Sequence, residues 1–256
     1  MLFADHGQRI ESPRISGNPE KTGRTRSGFY AVHFTLDGIV IAYHFLPAHH
    51  AVDNMHRRRL KLALLHELND PFDLLAADLP KKRHRQVFTH WRDAMAKSYG
   101  LLCFSRTWHN PLLWSHYGDR HRGICLGFQV LAPRTAMAVS YTGRRLPGIV
   151  ERLIDTNKFD EAAMRRVLKT KFEDWKYERE IRLFGRLEDR EGDLYFSDFE
   201  PTLSLREVIL GARFAGSIQE LLEALRAYTP RVSVIQGRLA FRSFRVVKNK
   251  AIHIAV

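Results

Sequence analysis

Cysteine is scarce in this chain: there are two, Cys103 and Cys125, in 256 residues. Each sits in an apolar run, so two buried thiols are expected and a disulfide framework is not. There is no C-x-x-C pair and no H-E-x-x-H, which removes the most specific zinc spacings. Twelve of the 13 histidines precede residue 122, yet His109, His116 and His121 have no ligand spacing, and no metal site is expected. The glycine-rich phosphate loops G-x-G-x-x-G and G-x-x-x-x-G-K-[ST] are missing as well. That argues against Rossmann dehydrogenases, kinases and P-loop NTPases. G-x-S-x-G is absent, and Ser115 and His116, adjacent on an expected helix, do not converge as a hydrolase pair. No apolar run approaches bilayer length, and Met1–His6 does not read as a secretory leader. A cytoplasmic location without a membrane partner is the expectation.

What the chain does have is positive charge, distributed unevenly. The formal net charge is +13; residues 1–150 carry 21 Lys/Arg against 11 Asp/Glu, residues 151–200 carry 11 against 14, and residues 201–256 carry 9 against 3. A basic body around an acidic segment attracts polyanions by field alone; a solvated basic surface is the plainer reading. The runs Arg57–Arg59 and Lys81–Arg85 divide the same way, between solvated faces and nucleic-acid contacts.

An apolar fraction of 45% fits a globular domain. Residues 1–27 read as a flexible N-terminal tail, rich in Gly, Arg and Ser, and residues 28–256 as one domain. Phe29–Phe34 reads as a short extended stretch and Val40–Phe45 as a strand. A helix over 48–59 followed by a strand over 60–64 competes with one long helix. Asn69–Asp73 is a turn, because Pro71 excludes Asp70 from the helical region. A helix over 82–98, a strand at Leu101–Phe104, a short helix at Asn110–Gly118 and a strand at Gly123–Val130 follow. Ala138–Tyr141 is expected to pair with that last strand. Then come a helix over 159–173, strands near 178–184, 193–198 and 206–210, a helix capped by Ser217 and Glu220, and closing strands at Val232–Ile235 and Phe244–Val247. Many strands without regular helix–strand alternation imply an α+β domain, a twisted mixed or antiparallel sheet with packed helices.

The densest chemistry is in Trp175–Lys176–Tyr177–Glu178–Arg179–Glu180–Ile181–Arg182. On a strand, Glu178, Glu180 and Arg182 share one face. Two carboxylates and a guanidinium there suit a substrate with ribose hydroxyls or phosphates. The alternative is a surface strand whose carboxylates pair with Arg179 and Arg182. Trp114 and Tyr117, three apart on a helix, either pack on the sheet or stack on a planar ring. His44 alternates in facing with Tyr43 and Phe45, as a core histidine or as a partner for Glu180.

Three blocks in order resemble the bacterial DUF2971 family, whose function is unsettled. They are Leu68–Asp73 after Tyr43–His44–Phe45; Cys103–Phe104–Ser105 with Leu113–Gly118 and His121–Phe128; and Lys171 with Trp175–Arg182. The match spans about residues 40–212. Its layout is more distantly similar to ADP-ribosyltransferase-like folds, which pair an early-strand histidine, a central aromatic and a late-strand glutamate. That resemblance implies an NAD-dependent transferase acting on a nucleic acid or other macromolecule. Glu180 would steady the cationic ribose in the transition state, His44 would bind the nicotinamide-side ribose, and Glu178 would orient or deprotonate the acceptor. Arg182 would meet a phosphate, and Tyr117 or Trp114 would stack on a ring. Two other classes stand beside it. One is a non-enzymatic nucleic-acid-binding protein using residues 57–61, 81–85 and the C-terminal arginines. The other is a phosphodiesterase or nuclease built on Glu178 and Glu180 with Asp70 or Asp73.

Overall fold

The computed structural model describes residues 41–156, 161–252 and 254. The expected tail, the extended stretch at Phe29–Phe34 and the domain boundary at residue 27 lie outside them. The described chain begins with β1 (Ile41–Leu46), α1 (Ala48–Arg57) and β2 (Arg59–Leu64). Arg58, in the left-handed region at φ 51°, breaks the helix from the strand, so the two-element reading of 48–64 holds. After the turn come α2 (Lys82–Ala96), β3 (Tyr99–Ser105) and α3 (Pro111–His116). Asn110 caps α3 by accepting from the Leu112 amide at 3.0 Å, and Pro111 occupies the first turn, where a missing N–H costs nothing. Next are β4 (Ile124–Val130), β5 (Met137–Ala138), β6 (Ser140–Thr142), α4 (Ile149–Thr156), α5 (Glu161–Leu168) and β7 (Thr170–Phe172). The chain closes with β8 (Glu180–Arg186), β9 (Asp189–Glu191), β10 (Leu194–Asp198), β11 (Leu203–Leu210), α6 (Ile218–Leu225), β12 (Ser233–Leu239) and β13 (Val246–Lys248).

Three expectations change. The helix expected over 159–173 stops at Leu168 and becomes β7, because Lys171 is drawn into a buried ion cluster. Residues 138–141 do not pair with β4: β5 joins β8 and β6 joins β7. The strand expected from residue 178 starts at Glu180, since Glu173–Glu178 winds into a 3-10 helix ended by left-handed Arg179 (φ 47°).

The architecture is α+β. Among the described residues, an 11-stranded mixed sheet runs β13-β12-β11-β4-β1-β3-β2-β10-β9, with β8 on β3 and β5 on β8. Most pairings are antiparallel; β11 and β12 are parallel, joined by α6. Alternation sorts side chains onto two faces. Ala42, Leu46, Leu102, Phe104, Leu126, Phe128, Ile181 and Leu183 face one core, covered by Ala51 and Met55 of α1 and Leu221 and Leu225 of α6. On the other face, Leu101 and Phe184 meet Leu65, Leu74, Met137 and Leu168, beneath the turn after β2 and the end of α5. Beside them Cys125 and Ile209 pack with Trp108 and Trp114. Trp114 is 0% exposed, meets Phe45 edge-on at 5.0 Å and donates its indole N–H to the Trp108 carbonyl at 2.6 Å. It is a structural anchor. No helix among the described residues is long and apolar enough to cross a membrane.

Trp114→Ala is expected to cost about 3–5 kcal/mol, because it opens a large cavity and frees a buried carbonyl. Urea unfolding followed by circular dichroism measures this.

Candidate functional site

The register of β1, β3 and β8 determines which side chains meet. Tyr43 stands opposite Ser105, and Ser105 opposite Glu180, so all three face the same side. Cys103 is paired with Arg182 on that side. His44 points to the other side, towards the α1–α6 core, where its ring lies 5.5 Å from Phe104. Its Nδ1 donates to the Cys103 carbonyl at 2.8 Å, and burial lowers its pKa, so the ring is neutral. The sheet therefore separates His44 from Glu180. The histidine–glutamate partnership expected from sequence is not formed, because a one-residue difference in register parity changes the face.

Glu180 and Arg182 do share a face, as expected, and Glu178 reaches them from the end of the 3-10 helix. Arg182, 0% exposed, donates Nε to Glu180 Oε1 at 2.7 Å and Nη2 to Asp73 Oδ2 at 2.9 Å. Its Nη1 donates to the Leu168 carbonyl at 3.0 Å. Lys171 Nζ lies 2.6 Å from Glu178, 3.3 Å from Glu180 and 3.4 Å from Asp73. Tyr117 Oη donates to Glu178 Oε1 at 2.6 Å and accepts from Asn69 Nδ2 at 3.0 Å. Ser105 Oγ donates to the Glu178 carbonyl at 2.5 Å, and Tyr141 Oη accepts from the Glu180 amide at 2.8 Å.

Three carboxylates thus surround two cations, a formal excess of one negative charge. Burial would raise Glu180, yet Arg182 and Lys171 hold it below the usual carboxylate value. Glu178 goes the other way: burial raises it despite Lys171 and Tyr117, so it takes a proton more readily than Glu180. Burial opposes the charges of Lys171 and Arg182, but the carboxylates keep both firmly protonated. Tyr141 is pushed up to about 12 by burial, so its phenol stays neutral.

Asp73 does converge with Glu178 and Glu180, while Asp70 caps its own turn by accepting from the Phe72 amide at 2.9 Å. The centre that three carboxylates could offer a divalent ion is filled by an ammonium and a guanidinium. Among the described residues no group of His, Cys, Asp and Glu is arranged to hold a metal. Trp114 is consumed by packing; Tyr117, half-buried at the edge of the cluster, is committed to Glu178. Sequence reasoning overlooked Tyr43 and Tyr141. Tyr43 crosses above Gly127 to donate to Glu207 at 3.1 Å, and a Cβ on that glycine would approach the ring to 3.1 Å. Gly127 stands opposite Tyr43 in the β1–β4 pairing, a relation that no local sequence signal shows.

No family model, curated protein or solved structure matches the chain. This corrects the expectation of a DUF2971 member and of an ADP-ribosyltransferase-like transferase using NAD. No match supports those assignments, and the residues meant to form their site, His44, Tyr117 and Glu180, do not come together: Tyr117 meets Glu178, and His44 lies across the sheet.

Arg182→Met leaves buried carboxylates uncompensated and is expected to cost about 3–5 kcal/mol in denaturant unfolding. Tyr117→Phe removes the bond to the Glu178 carboxylate together with the exposed one from Asn69, for about 1.5–3 kcal/mol. The pH dependence has two signs. Glu180, depressed in the fold, contributes stability that is present above its unfolded value and lost as pH falls through its folded value. Glu178, raised in the fold, loses stability as pH rises from its unfolded to its folded value. Unfolding free energies between pH 3 and 8 should therefore show a descending contribution that disappears in Glu178→Gln.

Proposed function

We propose that this protein binds single-stranded nucleic acid, and that the hairpin of β12 and β13 makes the first contact. The observation that carries this is the loop between the two strands. Phe241 is 91% exposed and Phe244 97% exposed. Burying a phenylalanine is worth about 1.5–3 kcal/mol, so two left in water contribute little to this fold. Residues 238–250 contain Arg238, Arg242, Arg245, Lys248 and Lys250 and no acidic residue. The Arg238 guanidinium lies 4.7 Å from the Phe241 ring centroid, and the loop is closed by the Ala240 amide donating to the Arg245 carbonyl at 2.9 Å. Rings presented among guanidinium groups stack on unpaired bases while the cations neutralise phosphates. Duplexes hide their base faces, so a single strand is the better fit.

The basic run at Arg57–Arg59 supports this reading less. Arg57 and Arg59 both pair with Glu191, and Arg58 donates to the Ala227 carbonyl at 2.6 Å while lying over Tyr228. Those arginines fasten α1 and β2 to β9 and the end of α6.

Fluorescence anisotropy with a labelled single strand of about 20 nucleotides tests the proposal. Phe241→Ala and Phe244→Ala should each weaken binding by about 1–3 kcal/mol, and Arg242→Ala should reduce the salt slope by about 1. Absence of binding at low salt, or binding indifferent to both phenylalanines, would refute it.

A further inference from the structure

We infer that a strand bound at the hairpin continues onto a second stacking platform, formed by His116, Tyr177 and Trp175 above the buried ion cluster. This rests on the nucleic-acid reading above and extends its site. The two places are joined by one short segment. His109 clasps the base of the hairpin: its amide carbonyl accepts from the Val246 amide at 2.9 Å, and its Nδ1 donates to the Val246 carbonyl at 2.8 Å. The next residue, Asn110, donates Nδ2 to the Tyr177 carbonyl at 3.0 Å while its oxygen caps α3, the helix that carries His116. Hairpin and platform are therefore fixed to adjacent residues of the same backbone.

The platform is aromatic, and the 3-10 helix that carries two of its rings exposes Glu173 and Asp174 as well as Lys176. The His116 and Tyr177 centroids are 6.2 Å apart at 30°, and those of Tyr177 and Trp175 5.9 Å apart at 38°. Trp175 and Tyr177 belong to none of the four apolar clusters, and His116 is exposed. Lys171 Nζ lies 4.9 Å from the Trp175 ring centroid, which holds that indole over the cluster. At the same edge the Arg106 amide donates to the Arg179 carbonyl at 3.1 Å, and both arginine side chains are exposed without an ion pair among the described residues. Tilted rings with the Arg106 and Arg179 side chains at the same edge share the ring-and-arginine pairing of the hairpin loop, while Glu173 and Asp174 add negative charge that the loop lacks. A strand too short to leave the hairpin would miss this platform, and a longer one would gain it.

Binding of labelled single strands of about 4 and about 15 nucleotides separates the two ideas. The wild-type protein should bind the longer strand at least about tenfold more tightly, counting contacts at both places. The double variant Trp175→Ala/Tyr177→Ala should lose that length-dependent gain and keep its affinity for the short strand. The variant Phe241→Ala/Phe244→Ala should weaken both. Circular dichroism verifies that each variant is folded. Should the aromatic pair not tolerate replacement, Arg106→Ala/Arg179→Ala should lower the salt slope for the long strand by about 2 and leave the short strand unchanged. If the wild-type protein binds neither strand, the nucleic-acid reading itself fails. If it binds through the hairpin, and the platform variants treat both lengths as the wild type does, only the second platform is overturned.

Discussion

Arg182 is the residue on which this half of the molecule is built. A guanidinium with no exposure is sustained only by full pairing, and here Glu180, Asp73 and the Leu168 carbonyl supply it. Those partners come from β8 itself, from the turn after β2 and from the end of α5. One side chain therefore fixes how three separate segments meet over the sheet. Lys171 extends the network to Glu178, and Glu178 extends it through Tyr117 to Asn69 at the surface. Pairing of this kind need not exceed what an apolar core would contribute; in this arrangement of the segments each of the two buried cations has its partners.

The same network has an imbalance that an apolar core lacks. With three carboxylates to two cations, a proton on Glu178 would make the group neutral. Glu178 is also the carboxylate nearest the edge, where Tyr117 and Asn69 lead outward. The contacts with Lys171 and Tyr117 hold Glu178 in place and favour its charge, while burial raises its proton affinity against them. The segment 105–110 runs from Ser105, which holds the Glu178 carbonyl, to Asn110, which holds the Tyr177 carbonyl, passing His109 on the hairpin. It ties the hairpin and the half-buried rings of Trp175 and Tyr177 to the buried cluster.

Much of the fold was legible because the signals were local. A short helix was expected at Asn110–Gly118, Ser217 with Glu220 marked another helix start, and the apolar runs at Leu101–Phe104 and Gly123–Val130 marked central strands. The failures were also physical. Residues 159–173 carry only partial helical spacing, and the placing of Lys171 between Glu178, Glu180 and Asp73 overrode it at Thr170. Glu178 was grouped correctly with Glu180 and Arg182 for an incorrect reason: it joins them from a 3-10 turn, not along the strand.

The sequence by itself determined the α+β class, the alternation that separates Leu102 and Phe104 from Leu101 and Cys103, and the presence of a compact acidic and aromatic segment at 175–182. Those follow from periodicity, capping and composition, which neighbours along the chain express. Only the tertiary structure decided that His44 faces away from Glu180, that Asp73 completes the cluster from 109 residues away, and that Arg57–Arg59 clamps the fold while Phe241 and Phe244 stand in water. Register between strands and the partners of a buried charge depend on contacts distant in sequence, and no local pattern encodes them.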